Sequence, residues 1–325
     1  MKTITVSIVS WNTKNLTLAC LDSIAMHTPS HMQDCVEVIV VDNNSKDDTV
    51  AAIKAQYPKV VVIESGANIG FGRANNLAIQ QASGDIVFFL NSDALITSNT
   101  IEVISEAFSN DQQLGVLGCK LIEGDGTVQK SVRGHPSFTA ILYSDTPINL
   151  LWFLKPVYES YRKKGFDFSR EQVVDSVMGA AMAIPKHILD KLGGFDPIFF
   201  MYYEEVDLCR RIGEAGYLVK YTPDTRVFHV GGASSSLDRA RMRLANKKSM
   251  LLYLRKHEGR LSTVLFTLLF KPLFIIQAIV SLLFFTGKLV IARLVGRKDK
   301  ANKYKLQCKL KFKFLTQDIW SFITS

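Results

Sequence analysis

Apolar runs alternate with mixed polar and apolar stretches through the N-terminal third of the chain. The runs are rich in Val, Ile and Phe and lie at residues 4–11, 37–41, 60–63 and 86–90, which is typical of strands buried in a sheet. The stretches between them have the length of helices, and Asn12 and Thr13 are candidate caps for the first helix. Strands that alternate with helices predict βαβ units, an α/β fold and a mostly parallel sheet.

After residue 93 the pattern is less regular but still predicts strands and helices. Gly124-Asp125-Gly126 is a hairpin turn signal that follows a predicted strand at 115–122. Residues 134–172 carry aromatic and basic side chains without a regular pattern, and we interpret them as a long surface excursion. The remaining predicted elements are a helix at about 98–108, a strand at 175–184, a helix from about 204 to 216, two short strands and a charged helix ending near 257.

The composition changes after residue 258. Between residues 261 and 292 the only ionic side chains are Lys271 and Lys288, and Pro272 and Gln277 interrupt the apolar run. Its uninterrupted part is shorter than the roughly 20 residues that a membrane-spanning helix needs. We therefore expect one domain at 1–258 and a membrane-associated helical region at 259–325, which lies in the membrane interface or re-enters as a hairpin. A buried helical pair packed on the domain is the alternative.

The charge of the chain is concentrated at its C-terminal end. The 325 residues have a formal net charge of +9, and the segment from Lys288 onward, with ten basic and two acidic residues, contributes +8 of it. The body is therefore nearly neutral, which argues against nucleic acid as a partner. The basic tail suits an anionic membrane surface.

The cysteines and the N-terminus indicate the compartment. The five cysteines form no Cys-x-x-Cys pair, which argues against a disulfide framework or a zinc site and favours a reducing environment. The first apolar run stops at Trp11-Asn12, too early for a signal peptide, and is better interpreted as a strand.

Polar side chains stand where predicted strands end, and ligands of open α/β sheets bind at that edge. Asn91 and Asp93 follow the run 86–90 and suit a divalent cation that also holds phosphates, although a polar turn would look the same. Asp42 ends another strand and can accept hydrogen bonds from a base or ribose, or it can cap the next helix.

Glu204 and Glu205 open a predicted helix, where the helix dipole favours ionised carboxylates. An ionised carboxylate in a cleft can act as general base towards a sugar hydroxyl. The alternative is a structural pair that uses the spacing from Glu205 to Arg210 and Arg211. His229 is a lone histidine, for which a structural role is the common explanation.

The glycine-rich loop at 66–76 matches neither the dinucleotide fingerprint nor the P-loop, so hydride transfer and P-loop chemistry have little support. A second small-residue segment, Gly179-Ala180-Ala181, lies in the predicted strand at 175–184 and would let a ligand approach closely.

Five motifs taken together resemble glycosyltransferase family 2, and within it the bacterial rhamnosyltransferase-like branch. The resemblance covers about residues 4–255. The motifs are Val6-Ser7-Ile8-Val9-Ser10-Trp11-Asn12, Val40-Val41-Asp42-Asn43-Asn44-Ser45, Asn68-x-Gly70-Phe71-Gly72-x-x-Asn75-Asn76, Leu90-Asn91-Ser92-Asp93 and Phe200-Met201-Tyr202-Tyr203-Glu204-Glu205-Val206-Asp207.

The resemblance implies a GT-A fold with a mixed sheet flanked by helices, a nucleotide-sugar donor and inversion at the anomeric carbon. It implies Asp93 and His229 as ligands of Mg²⁺ or Mn²⁺, with Asn91 in place of the first Asp of the family's Asp-x-Asp motif. Glu205 takes the place of the Asp that acts as general base in the family, with Glu204 as the other candidate. Gly179 and Ala180 would contact the acceptor. The residues implied for the donor site are Ser10, Asn12, Asp42, Asn43, Ser45, Asn68, Gly70, Phe71, Arg73, Asn76, Asn91 and Ser92.

We therefore expect an inverting, metal-assisted glycosyltransferase at the cytoplasmic face of the inner membrane, peripheral or monotopic. The expected reaction moves rhamnose from dTDP-rhamnose to a hydroxyl of a lipid-linked glycan. The alternatives are a nucleotidyltransferase that acts on sugar phosphates and a catalytically idle membrane-bound scaffold.

Overall fold

The computed structural model describes residues 1–97, 99–231 and 239–323, with the backbone alone at 239–241. Its contacts divide the chain into two units. The sheet unit comprises Met1–His135 and Arg162–Leu237, and the helical unit comprises Pro136–Tyr161 and Asp238–Ser325. Residues 136–161 and 238–258 group with the C-terminal helices in this division. The expected boundary at residue 258 stays a prediction, because a grouping by contacts does not test which segments fold independently.

The strands and helices are numbered in chain order. The strands are β1 Ile4–Ser10, β2 Val36–Asp42, β3 Val61–Glu64, β4 Ile86–Asn91, β5 Ala94–Ile96, β6 Leu114–Ile122, β7 Val132–Arg133, β8 Gln172–Val173, β9 Ser176–Val177, β10 Ala181–Pro185 and β11 Leu218–His229. The α-helices are α1 Lys14–His27, α2 Thr49–Gln56, α3 Phe71–Gln81, α4 Thr100–Asn110, α5 Phe138–Asp145, α6 Lys155–Tyr161, α7 Lys186–Leu192, α8 Glu204–Glu214, α9 Arg239–His257, α10 Arg260–Leu294, α11 Lys298–Lys313 and α12 Ile319–Ile323.

The sheet unit is built on one mixed sheet, with strand order β3-β2-β1-β4-β10-β6-β11-β5 and β8 paired to β11. Strands β1 to β4 run parallel, whereas β10 is antiparallel to both of its neighbours. The mixed α/β sheet confirms the expected fold class. The prediction of two short strands after residue 216 is wrong, because β11 is one strand that passes Pro223 through a register shift between Thr222 and Val227.

Strand β4 is buried on both faces, as its apolar run predicts. Ile86, Phe88 and Leu90 enter one apolar cluster, which also holds buried residues of α1 and α4. Val87 and Phe89 enter a second cluster with residues of α3, α7 and α8. Because β4 lies between β1 and β10, its carboxyl end opens at the middle of the sheet edge.

The helical unit contradicts the interpretation of residues 134–172 as irregular. This segment contains α5 and α6, and Ser137 caps α5 by accepting a hydrogen bond from the Ala140 backbone N–H. The rings of Tyr143 and Tyr158 lie 5.3 Å apart and join the two helices. Aromatic packing within the segment therefore orders it without a long amphipathic repeat.

The C-terminal apolar segment is also more regular than expected. Helix α10 continues through Pro272 for 35 residues, and by length and composition it is the one helix among the described residues that could cross a membrane. The expectation that the run is too short to span was therefore wrong, because the helix does not break at Pro272. Phe266 and Phe270 of α10 pack within the helical unit against Phe138 and Phe322.

Candidate active site

The carboxyl ends of three parallel strands bring the predicted site residues to one edge of the sheet. Ser10 is paired in register with Asp42, and the neighbouring residue Val9 is paired with Asn91. Strand ends that lie side by side in a parallel sheet form the usual ligand-binding edge of an α/β fold. The sheet topology therefore places Ser10, Asp42 and Asn91 together, as the motif spacing predicted.

Asp93 and His229 lie side by side although 136 positions separate them in the chain. Strand β11 pairs with β5 so that His229 lies opposite Ala94, and the Val230 N–H donates to the Asp93 carbonyl over 3.1 Å. As a result, the His229 Nε2 and Asp93 Oδ1 atoms are 3.3 Å apart, and both side chains are buried. A long separation between them would have ruled out a shared metal site.

Gln129 fixes the orientation of the His229 ring. Its Oε1 atom lies 2.7 Å from His229 Nδ1, and because an amide oxygen only accepts, Nδ1 donates this hydrogen bond. A ring that carries its proton on Nδ1 has the Nε2 lone pair available for a metal ion, and the Asn91 Nδ2 atom lies 3.2 Å from Nε2. Sequence reasoning missed Gln129.

His229 Nε2 and Asp93 Oδ1 can both act as ligands of one divalent cation. Imidazole nitrogen and carboxylate oxygen are common ligands, and a histidine ligand usually donates its other N–H to a neighbouring acceptor, as His229 does to Gln129. Among the described residues no group of three or more His, Cys, Asp or Glu could hold a metal ion. The protein thus supplies two such ligands here, a number that fits an ion whose other ligands are phosphate and water.

Asp42 presents a buried acceptor to the site. Its Oδ2 atom accepts from the Ser45 backbone N–H over 2.9 Å, whereas Oδ1 is buried and has no hydrogen-bond partner in the part of the chain that the structure describes. Leaving a buried acceptor unsatisfied costs about 1–3 kcal/mol. A ligand that donates a hydrogen bond to Oδ1 would remove this cost, and ribose hydroxyls and base N–H groups are such donors.

Asn12, Ser45, Ser10 and Ser92 hold the strand ends together. The Asn12 N–H donates to Ser45 Oγ over 2.9 Å, and Asn12 Oδ1 accepts from the Lys46 N–H over 2.7 Å. Ser10 and Ser92 are buried in a cluster of hydroxyl groups with Thr13 and Thr17. Thr13 directly precedes α1, and Thr17 lies in its first turn. These four residues therefore have visible structural partners, and their contacts with a donor stay predictions.

The loop before α3 is fixed by Asn43 and by the segment that leads into α8. The Asn43 amide donates to Asn68 Oδ1 and to the Gly70 carbonyl, each over 3.2 Å, and accepts from the Ile69 N–H over 3.0 Å. Gly70 has φ +91°, and a Cβ there would collide with the Phe200 carbonyl. That carbonyl accepts from the Phe71 N–H over 3.1 Å. Only glycine fits this position.

Arg73 and Asn76 hold the turn that precedes α8. Arg73 Nε donates to the Pro197 carbonyl over 2.7 Å. The Asn76 amide accepts from the Phe195 N–H over 2.9 Å and donates to the Phe195 carbonyl over 2.8 Å. Both side chains therefore position the backbone, and their predicted contacts with a nucleotide sugar stay predictions.

Backbone strain marks the entry to α8. Tyr202 and Tyr203 adopt φ values of +68° and +69°, a left-handed conformation that costs a non-glycine residue about 1–3 kcal/mol. These two residues directly precede Glu204 and Glu205. Strained pairs of this kind concentrate at functional sites, where the surrounding contacts fix the direction of the next side chains.

Desolvation raises the pKa of both glutamates at the start of α8. For Glu205, the backbone hydrogen bonds and the Arg133 charge only partly oppose this effect. Desolvation and the Glu205 charge raise the pKa of Glu204 well above its ordinary value, and among the described residues its buried Oε2 atom has no hydrogen-bond partner. The dipole at the helix N-terminus favours the ionised forms by about 0.3–1 kcal/mol, and desolvation opposes it.

The two carboxyl groups are suited to different protonation states. Glu204 is buried, whereas Glu205 is partly exposed, and because one ionised carboxylate opposes ionisation of its neighbour, their titrations are driven apart. Arg133, which the sequence did not identify, favours the ionised form of Glu205. The structural alternative for Glu205 is not seen, since Arg210 pairs with Glu214 and Arg211 pairs with Asp207.

Gly179 and Ala180 connect the Asn91 end of β4 with Glu205. The Ala180 carbonyl accepts from the Asn91 N–H over 2.9 Å. A Cβ on Gly179 would lie 3.4 Å from the Glu205 Cβ and 3.5 Å from Phe71 Cε1. The segment thus borders the carboxylate that is the candidate base, and its contact with an acceptor stays a prediction.

Comparisons with known proteins concern the sequence as a whole. The sequence profile described as Glycosyl transferase family 2 matches residues 5–192. An N-acetylglucosaminyl-diphospho-decaprenol L-rhamnosyltransferase from Mycobacterium tuberculosis is 32% identical over 69% of this chain and 76% of its own length. Rhamnosyltransferase WbbL from Escherichia coli K12 is 27% identical over 59% of this chain and 72% of its own length.

A solved structure has a similar fold. The mannosyltransferase PcManGT from Pyrobaculum calidifontis, in complex with GDP-Man and Mn²⁺, aligns over 99% of this chain and 83% of its own. The TM-score is 0.55 and the sequence identity is 18%. At this identity the likeness concerns the fold, which is the curled mixed sheet of GT-A enzymes.

Proposed function

The chain belongs to glycosyltransferase family 2, and from this premise we propose that it moves a sugar, with inversion, from a nucleotide-sugar donor to a hydroxyl group of a lipid-linked glycan. The observation that carries the proposal is the buried Asp93–His229 pair beside the carboxyl ends of β1, β2 and β4. The glycosyltransferase assignment itself follows from the family. The donor sugar, the metal and the stereochemistry are the proposed part.

The nucleotide binds at the end of β2 in this proposal. Asp42 Oδ1 accepts a hydrogen bond from the ribose or base, because it is a buried acceptor without a hydrogen-bond partner among the described residues. The Asn43 side chain holds the loop at 68–70 in place beside it. The result is a preformed edge that needs little rearrangement on binding, which favours affinity.

Asp93 and His229 would hold Mg²⁺ or Mn²⁺ for the donor diphosphate. Gln129 orients the His229 ring so that its Nε2 atom lies beside Asp93. When bound, such an ion neutralises the negative charge that develops on the leaving diphosphate. Asn91, whose Nδ2 atom lies 3.2 Å from His229 Nε2, would assist this site without contributing charge.

Glu205 acts as the general base. Its carboxylate takes the proton of the acceptor hydroxyl as that oxygen bonds to the anomeric carbon, while the bond from this carbon to the diphosphate oxygen breaks and the nucleoside diphosphate leaves with the electron pair. Attack opposite the leaving group inverts the anomeric centre. The raised pKa of Glu204 favours its neutral form beside Glu205, which leaves the negative charge on the base.

Rhamnose, donated by dTDP-rhamnose, is the proposed sugar. Similarity to rhamnosyltransferases of Mycobacterium tuberculosis and Escherichia coli supports this choice. The acceptor proposed for this chain, a sugar on a polyprenyl diphosphate, follows the printed name of the mycobacterial relative. Binding of such an acceptor requires the protein to work at a membrane.

The proposed location is the cytoplasmic face of the inner membrane. The five cysteines are free, which suits a reducing compartment. The apolar helix α10 and the basic segment after Lys288 supply the membrane contact in this proposal. Each Lys or Arg close to an anionic surface contributes about 1 kcal/mol.

Turnover by the purified full-length chain tests the proposal. We expect sugar transfer from dTDP-rhamnose, among a panel of nucleotide sugars, to N-acetylglucosaminyl-diphospho-polyprenol in detergent, with dependence on Mg²⁺ or Mn²⁺. Mass spectrometry identifies the product, and NMR of its anomeric carbon reports inversion or retention. Asp190→Asn, an exposed carboxylate paired with Lys186, is the control and keeps full activity.

Three results would contradict parts of the proposal separately. Transfer of another sugar only would remove rhamnose, and a retained anomeric configuration would remove Glu205 as the base of a direct displacement. Absence of transfer and of donor hydrolysis across the whole panel would favour the idle scaffold. A nucleotidyltransferase, the other alternative, is not favoured because the chain belongs to a glycosyltransferase family.

A further inference from the structure

One face of α10 is apolar and exposed along the whole helix. The exposed residues recur every three or four positions, which is the spacing of a single helix face. They are Leu261, Val264, Leu265, Leu268, Leu269, Ile276, Ile279, Val280, Leu283, Phe284, Val290, Ile291 and Leu294. A continuous exposed apolar surface of this extent marks an interaction site in a folded protein. We call it the apolar stripe.

The other face of α10 packs against protein. Phe266, Phe270, Ala278 and Ala292 are buried there. Helix α11 packs along the second half of α10, with 6.1 Å between the Phe285 and Tyr304 rings and a 3.6 Å contact between Thr286 Oγ1 and Cys308 Sγ. The two helices therefore form a hairpin with the stripe on one side.

The composition of α11 decides how this hairpin meets a bilayer. Five exposed lysines lie along it, at positions 298, 300, 303, 305 and 309. If α10 crossed the bilayer, α11 would be carried into the hydrocarbon beside it together with these charges. Lysine in the hydrocarbon is strongly disfavoured. An orientation in the membrane plane leaves the lysines among the head groups and the stripe at the acyl boundary.

A short aromatic turn in the same unit has the same character. Leu150 and Trp152 are 81% and 80% exposed, and Leu151 and Phe153 are also exposed. The turn follows the 3₁₀ segment Pro147–Leu150, which packs against α10. Trp and Phe exposed next to an apolar helix are typical of residues at the membrane–water interface.

The charge of the helical unit identifies the partner. This unit has twenty basic and six acidic residues, a net charge of +14. The sheet unit has nineteen basic and twenty-four acidic residues, a net charge of −5. Positive charge is thus confined to the unit that exposes the apolar stripe, a combination that fits an anionic lipid surface better than a second copy with the same charge.

We propose that the helical unit binds an anionic bilayer in its plane, with the apolar stripe at the acyl boundary, the lysines of α11 at the head groups and the Leu150–Phe153 turn inserted as a second contact. The inference rests on the proposed membrane association and deepens it, because it gives the orientation of α10 and adds the Leu150–Phe153 turn as a second contact.

Tryptophan fluorescence tests the second contact. The chain has three tryptophans, so Trp11→Phe/Trp320→Phe leaves Trp152 alone, and Trp152→Phe/Trp320→Phe leaves Trp11 as control. With vesicles that contain about 30% phosphatidylglycerol, we expect a blue shift of Trp152 and stronger quenching by shallow than by deep brominated lipids. Trp11 should show neither. Binding to the vesicles without quenching of Trp152 would overturn the inserted turn and leave membrane association standing.

Chemical labelling tests the orientation of α10. Single cysteines at Arg255→Cys and Lys300→Cys flank the helix, in a Cys35→Ser/Cys308→Ser background that removes the two half-buried thiols. In inside-out membrane vesicles we expect an impermeant maleimide to label both positions. Protection of one position only would mean that the helix spans, and would overturn the in-plane orientation.

Vesicle sedimentation separates this inference from the membrane association on which it rests. Trp152→Ser/Phe153→Ser should weaken binding at least about tenfold, and Met26→Ser, an exposed apolar residue of the sheet unit, should leave it unchanged. Equal binding of both variants would contradict the inserted turn. If the wild-type chain ignored anionic vesicles and formed a dimer in solution, a second copy would cover the stripe and membrane association would fail as well.

Discussion

The site edge of the sheet unit and the apolar stripe of the helical unit are built in opposite ways. At the sheet edge, polar groups are buried and several are held by a specific partner, as Gln129 holds His229. On α10, large apolar groups are exposed and many residues share one role. Activity at a site of the first kind depends on the positions of single atoms. Binding by a surface of the second kind depends on the total apolar area and the total charge. Single substitutions should therefore have very different effects in the two regions.

Glu205→Gln should give the largest loss at the sheet edge. Removal of the general base lowers kcat by about 100- to 10,000-fold, measured in the rhamnosyl transfer assay with circular dichroism to verify folding. Glu214→Gln, on the same helix and exposed, serves as control and should keep wild-type kcat. Wild-type turnover by Glu205→Gln would remove this residue as the base.

The pH dependence of the wild type sharpens the same assignment. The base acts in its ionised form, so kcat rises with pH through its pKa. Because desolvation raises the pKa of Glu205, the acid limb should lie above the ordinary value of about 4.3. An acid limb at or below that value would be inconsistent with a desolvated Glu205 base.

Asp93→Ala should reduce kcat/KM by about a thousandfold, since charge neutralisation by the metal is worth several kcal/mol. The loss should be accompanied by weaker Mn²⁺ binding in the absence of donor, measured by electron paramagnetic resonance. Asp190→Ala should change neither quantity. Unchanged Mn²⁺ affinity in Asp93→Ala would place the ion elsewhere.

Gln129→Ala should weaken Mn²⁺ binding by about 10- to 100-fold, as loss of an orienting partner of a metal ligand does. Gln129→Glu keeps an acceptor for His229 Nδ1 and should restore most of the affinity. A merely structural role of Gln129 would lower the melting temperature of both variants without this difference between them.

Lys303→Gln tests the opposite region and should have a small effect. One head-group lysine is worth about 1 kcal/mol, or about fivefold in vesicle affinity, and about 0.5 M NaCl should abolish the difference through screening. Sugar transfer to a detergent-solubilised acceptor should be unaffected. A hundredfold loss from this single change would mean that the surface is a specific site after all.

Glu204→Gln should produce the smallest change, an increase in stability. The pKa of Glu204 is raised in the folded chain, so its favourable contribution is complete below the unfolded pKa of about 4.3 and is lost as pH rises through the folded pKa. The neutral amide avoids that loss. We expect a melting temperature higher by about 3 °C at pH 8, with the difference shrinking towards pH 5. A constant difference across this range would contradict the assignment.

Much of the sheet unit could be predicted from local sequence, because short apolar runs indicate which strands are buried and where they end. The run at 86–90 predicted a strand buried on both faces and the polar turn at its end. The partnership of Asp93 with His229 required the resemblance to a family, since 136 residues separate them. The roles of Gln129 and Arg133 could not be predicted, because their contacts depend on pairing between strands that are distant in the sequence.

Two other features depend on burial, which a helix pattern alone does not reveal. Glu204 and Glu205 stand at a helix N-terminus, and their desolvation depends on surrounding segments that a local pattern does not include. The helices at 138–145 and 155–161 are short and aromatic, so their order comes from contacts within the helical unit.

The first two turns of α3 have a consequence for how the protein is made. Phe71, Arg73 and Asn76 find their partners at Phe200, Pro197 and Phe195, more than a hundred residues later in the chain. At about 5–20 residues per second, a ribosome needs on the order of ten seconds to supply them. During that interval the start of α3 lacks these partners while β1 to β4 are already available to pair. The donor side of the site is thus completed late, when the segment that carries the candidate base is translated.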